Sequence, residues 1–114
     1  MHELGIVFHM IRSLDEIGKE NRLSRIASVT LELGEVSGVV HHELTDCWNW
    51  AAAKNDLLRG AELRIQTIPA VTLCHDCGER YPTVRHGRIC PKCGSEKTVL
   101  ETGNEISMKE IEAC

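Results

Sequence analysis

Residues 74–94 read CHDCGERYPTVRHGRICPKCG, and this stretch splits the chain into two different folding problems. Cys74-His75-Asp76-Cys77-Gly78 and Cys90-Pro91-Lys92-Cys93-Gly94 are two C-x-x-C-G units, with twelve residues between Cys77 and Cys90. A two-residue gap in a tight turn points both sulfurs at one ion, and the glycine that follows permits the positive φ such a knuckle commonly needs. Two facing knuckles give tetrahedral S₄ coordination, the preference of structural zinc. Redox C-x-x-C motifs normally occur once, at a strand-to-helix junction; here two stand in a glycine- and proline-rich setting. The expected zinc ligands are Cys74, Cys77, Cys90 and Cys93. A closed Cys₄ site leaves no position for water or substrate, so the ion is expected to hold structure and not to catalyse.

Outward from this stretch the pattern is amphipathic. Leu4, Val7, Phe8, Ile11, Leu14 and Ile17 recur at helical spacing, with Asn21 as a stop. Ile26, Val29, Leu31 and Leu33 mark a strand closed by Gly34. A second helix is expected from about Val40 to Lys54, with Leu44, Cys47, Trp48 and Ala51 on one stripe. Residues 61–68 alternate again until Pro69, and Ile106, Met108 and Ile111 mark a last strand whose period slips, as at a bulge. The expected fold class is α+β: a small sheet of about three strands with two helices on one face, plus an inserted Cys₄ zinc ribbon. The domains are then 1–70 with 102–114, and 71–101.

With 114 residues and 4% aromatic content, the core must be built from Leu, Ile, Val and Ala and will be thin, so a metal staple suits it. No secretory leader or membrane-spanning run is visible. A cytoplasmic setting follows, where six cysteines are expected as metal ligands or buried thiols. The net charge of −4 is spread unevenly. Residues 1–70 carry seven basic and ten acidic side chains, 71–100 carry five and three, and 101–114 carry one and four. Four thiolates on one Zn²⁺ would bring the middle segment to about neutral, a poor footprint for nucleic acid.

Met1-His2-Glu3 is the second chemical signal. A free α-amine, the His2 amide nitrogen and its imidazole can close adjacent chelate rings around Ni(II) or Cu(II), which favour N/O ligands in a plane. Glu3 has two readings: a carboxylate that complements the first helical turn, or a metal ligand or hydrogen-bond partner of His2. His9 falls two turns after His2 on a similar face. His41 and His42 near the second helix, and His75 and His86 in the ribbon, read as auxiliary ligands or as solvated side chains. Asp76 and Lys92, within the knuckles, read as solvated surface. Cys47 reads as a small buried hydrophobe, and Cys114 as an exposed, inert thiol.

Taken together, Met1-His2-Glu3 opening a helix, Leu33-Gly34-Glu35-Val36-Ser37-Gly38, the two C-x-x-C units and Gly103-Asn104-Glu105 resemble the HypA/HybF family. These are nickel metallochaperones of [NiFe] hydrogenase maturation, and the resemblance covers essentially the whole chain. It implies a non-enzymatic protein that binds Ni(II) through His2 and backbone nitrogens of the first residues, with Glu3 influencing affinity and selectivity. It also implies a structural Zn(II) on the four cysteines. The implied partners are the GTPase accessory protein HypB and the hydrogenase large-subunit precursor, with urease a further recipient in some members. A monomer or weak homodimer is expected, with no nucleic-acid or membrane partner. A loop of twelve residues between the cysteine pairs is short for the archaeal variant in which a loop His binds nickel, so that role is not transferred to His86. The rival reading is a zinc-ribbon adaptor for nucleic acid or a transcription complex, which the charge balance and scarce aromatics weigh against.

Overall fold

The computed structural model describes residues 3–114. The elements are α1 (Glu3–Glu20), β1 (Ile26–Gly34), α2 (His41–Ala52), β2 (Glu62–Ile68), β3 (Val71–Cys74), β4 (Arg80–Pro82), α3 (Thr83–His86), β5 (Thr98–Thr102) and β6 (Ile106–Ala113). Two three-stranded sheets form, with orders β2-β1-β6 and β4-β3-β5. The class is therefore α+β with a cysteine-rich insertion before the last strand, as expected. The one-turn α3 was not legible in the sequence.

The helical spacing of Val7, Met10 and Leu14 becomes the buried side of α1, with Glu3 and Gly18 buried at its two ends. Phe8, expected on that side, is instead 47% exposed, and Leu4 is 39% exposed. The buried stripe is narrow, and these two residues fall on its flank. After Asn21, Arg22 takes a left-handed φ of 52°. The Leu23 N–H then bonds the Gly18 carbonyl at 2.9 Å, the wrap that satisfies orphan carbonyls at a helix end. On α2, Leu44, Trp48, Ala51 and Ala52 are buried. The Trp48 indole N–H donates to the Ala61 carbonyl at 3.0 Å, which lets a polar group sit in the core. Cys47 is only half-buried, a correction to the expected stripe.

Strand β1 supplies the centre of the first sheet, with Ile26, Val29, Leu31 and Leu33 essentially inaccessible. Asn55 ties the turn after α2 to α1: its amide donates to Asp15 at 3.0 Å, and its oxygen accepts the Leu57 and Leu58 N–H groups. By Cα proximity the chain divides into two compact units. One holds residues up to Glu32 with Val39–Gln66 and Ser107–Cys114; the other holds Leu33–Gly38 with Thr67–Ile106.

Within the second unit, the Leu33–Gly38 and Gly103–Glu105 motifs meet. The Gly34 N–H bonds the Glu105 carbonyl and the Val36 N–H bonds the Gly103 carbonyl, both at 2.8 Å. A Cβ on Gly34 would lie 2.0 Å from the Gly103 oxygen, backbone against backbone. Gly34→Ala is therefore expected to cost about 3 kcal/mol or more, at the upper end of overpacking effects. A urea denaturation curve checks this, and a midpoint within error of the native one would show that the strands separate freely.

Candidate metal centre

The cysteine knuckles hang on the second sheet. Strand β3 ends in Cys74 and pairs antiparallel with β4 and β5, Thr72 lying opposite both Tyr81 and Leu100. In each knuckle the glycine N–H turns back to the first cysteine carbonyl: Gly78 to Cys74 at 2.9 Å and Gly94 to Cys90 at 2.8 Å. Both glycines hold positive φ, 78° and 75°, which a Cβ would oppose. The knuckles are also tied to each other. Asp76, read from sequence as mere surface, accepts a short hydrogen bond from the Ser95 hydroxyl, and the His75 N–H bonds the Lys97 carbonyl at 2.8 Å.

The result is one cluster. The sulfurs of Cys74, Cys77, Cys90 and Cys93 all lie within 4.8 Å of one another, and the Cys74–Cys93 and Cys77–Cys90 pairs stand at 3.6 Å. A tetrahedron with Zn–S bonds of ~2.3 Å has sulfur–sulfur edges of about 3.8 Å, so this donor set fits zinc in both number and spacing. The electrostatics agree. The Cys77 and Asp76 N–H groups, donated to the Cys74 sulfur, pull its thiol down to about 7 against the opposing effect of burial. The Ser95 N–H favours the Cys93 thiolate, but burial and the crowding of Cys74, Cys77 and Cys90 push that thiol up to about 12. Four such sulfurs cannot all ionise at neutral pH unless a cation shares the space. The chemistry available is metal retention; with four thiolates bound, no coordination site opens to substrate.

At the other end of the chain, Met1 and His2 lie outside the described residues. Glu3 is 8% exposed, and its Oε2 accepts the Val40 N–H at 3.1 Å. Val40 is the residue that opens α2, and it has no side-chain oxygen with which to cap that helix. A carboxylate 37 positions away in sequence therefore serves the helix start. Beside it lies an open hollow of about 370 Å³ lined by Glu3, Leu4, Glu43, Asp46 and Cys47. This fold thus sets the residue adjoining His2 next to Val40, whose chain neighbours are His41 and His42. His9, His41, His42, His75 and His86 are all exposed. The His86 ring packs edge-on against Tyr81, with centroids 5.8 Å apart. The Val40 amide is the participant that sequence reading missed, because a backbone N–H carries no residue-type signal.

Comparison with known proteins agrees with this layout. Residues 1–113 match the family model described as hydrogenase/urease nickel incorporation, metallochaperone, hypA. The hydrogenase maturation factor HypA of Chlorobium phaeobacteroides is 36% identical over 111 residues, 97% of each chain. HypA 1 of Bradyrhizobium diazoefficiens is 33% identical over 112 residues, 98% of each. The solution structure of the nickel metallochaperone HypA from Helicobacter pylori superposes with a TM-score of 0.74 at 24% identity, covering 99% of this chain and 97% of that one, and so shares the fold. These relatives are metallochaperones and maturation factors, not enzymes. Through that match over residues 1–113, the chain belongs to the HypA family of nickel-incorporation metallochaperones.

Proposed function

We propose that the chain binds Ni(II) at an N-terminal site made of Met1, His2 and Glu3, with Glu3 positioning it, and delivers the ion during maturation of a [NiFe] hydrogenase, with Zn(II) held by Cys74, Cys77, Cys90 and Cys93. In this reading residues 1–70 with 102–114 handle nickel and residues 71–101 form the zinc ribbon. The setting is the cytoplasm, and the protein acts as a monomer or weak homodimer. It hands nickel on with the GTPase HypB and the hydrogenase large-subunit precursor as partners; the family description extends to urease.

The observation that carries the nickel site is the bond from the Val40 N–H to the buried Glu3 carboxylate. It holds the Glu3 carboxylate at the start of α2, and Glu3 directly follows in sequence the residues that offer an amine, an amide nitrogen and an imidazole. Glu3 then serves the site by positioning, since one of its oxygens is already committed to Val40. Transfer asks for tight binding and for exchange with a partner's ligands. A chelate at the chain end offers both, because a partner can displace its donors one at a time. Nickel is outcompeted by Cu(II) on raw affinity, so selectivity rests on geometry and docking.

The test is a nickel titration of the zinc-loaded chain. One Ni(II) per chain in a planar, diamagnetic complex is expected; a paramagnetic six-coordinate ion would place the cargo elsewhere. Glu3 adds a finer arm. Glu3→Gln keeps an acceptor for the Val40 N–H and should retain most of the affinity. Glu3→Ala orphans a part-buried N–H at a cost of about 1–3 kcal/mol and should weaken nickel and stability together. Equal nickel loss in both variants without destabilisation would make the carboxylate a direct ligand.

A further inference from the structure

The flank of α1 that the core leaves open meets a matching flank of α2. Leu4 and Phe8 lie one turn apart on α1, 39% and 47% exposed, and Trp50 on α2 is 53% exposed. Leu4, Asp46, Cys47 and Trp50 line an almost wholly apolar hollow of about 300 Å³ between the two helices. Apolar groups this large, clustered and wet, mark an interaction surface more often than scattered exposed residues do. The charges around it indicate the occupant. Lys54 places its ammonium 3.5 Å from the centroid of the Trp50 ring and is engaged there. Glu43 and Asp46 stand exposed at the margin, and among the described residues neither takes part in an ion pair. A second copy of the chain would bring the same acidic pair to the contact and supply no complement.

We propose that this groove docks a helical segment of a partner protein that is apolar on one face and carries Lys or Arg where it meets Glu43 and Asp46. A groove between two helices accepts a third through anchors at i, i+3 and i+4. One large apolar side chain would fill the hollow over Cys47 between Leu4 and Trp50, and the next anchor would meet Phe8, one turn along α1 from Leu4. The acidic margin would set orientation and speed encounter. The hollow shares Leu4, Asp46 and Cys47 with the one beside Glu3, so docking would occur next to the N-terminal end of α1. The inference goes beyond the nickel reading and does not depend on it.

The probe is a labelled 18-residue helical peptide with a leucine stripe flanked by lysines, compared with a twin in which glutamates replace the lysines. Fluorescence anisotropy on the full chain should show the lysine peptide binding at least tenfold tighter at low salt. Phe8→Glu should weaken that binding at least tenfold, with zinc content and helix content unchanged. The double variant Glu43→Lys, Asp46→Lys, both exposed, should reverse the preference, and it keeps the test decisive if Phe8→Glu folds poorly. Nickel uptake is measured on the same samples, so failure of the nickel reading shows separately. Equal affinity for both peptides overturns the proposal, as does binding indifferent to Phe8→Glu. Sedimentation showing a native dimer that Phe8→Glu dissolves would overturn it too, because the occupant would then be a second copy.

Discussion

Replacing His2 by Ala is expected to lower nickel affinity by more than ~100-fold, beyond the 10–100-fold that loss of an outer hydrogen-bond partner of a metal ligand costs. Zinc content and secondary structure should stay unchanged, because the buried stripe of α1 is Val7, Met10 and Leu14. A residue added before Met1 should be as damaging with His2 intact, since it turns the α-amine into an amide that gives up its proton only with difficulty. An extension after Cys114 should be silent. The Cys114 N–H bonds the Arg25 carbonyl at 2.9 Å, its carbonyl accepts the Ser24 N–H at 3.1 Å, and its thiol is exposed. Binding should weaken as pH falls, because amine and imidazole must lose protons to ligate. Calorimetry on the two extended forms checks the argument: equal affinity and equal proton release would mean that His2 binds without the amine.

Cys74→Ala or Cys93→Ala is expected to abolish zinc binding and to unfold residues 71–100, leaving α1, α2 and β1 folded. The asymmetry follows from what each part buries. The inaccessible side chains around the β4-β3-β5 sheet form a cluster of Cys74, Tyr81 and Cys90, two of them proposed zinc ligands. Structural zinc contributes about 10–16 kcal/mol at pH 7, comparable to the whole stability of a small domain. The other part keeps Val7, Leu14, Val29, Leu31, Leu44, Trp48 and Leu58 without the metal. The sign of the pH effect is set by the thiols. Cys93, pushed up to about 12, yields its proton only as the metal arrives, so zinc uptake should release protons and acid should drive the metal off. Zinc analysis with amide exchange reads both effects; protected amides across 71–100 in a zinc-free variant would sink the expectation.

Much of this protein was legible in sequence because its strongest signals are local. A C-x-x-C-G unit carries its own turn, so the four cysteines could be grouped before any fold was known. The apolar periods of α1, β1 and α2 located those elements to within a residue or two. Elsewhere local pattern was insufficient. The sequence placed Phe8 and Cys47 on buried stripes, but burial depends on what packs opposite, and the flank between α1 and α2 stays open to water. Leu33–Gly38 and Gly103–Glu105 carry no signal in the sequence that they meet, yet they are two halves of one backbone contact in which Gly34 has no room for a Cβ.

The grouping of the four cysteines, the α+β class and the insertion of the cysteine-rich segment were thus readable from the chain alone, because each is encoded in spacing along a few consecutive residues. Packing alone decides that the Glu3 carboxylate accepts the Val40 N–H, that Asp76 bonds Ser95 across the knuckles, and that Leu4 and Trp50 line one open hollow. Those contacts join residues many positions apart, and chain spacing does not report which distant groups the packed core brings within hydrogen-bonding distance.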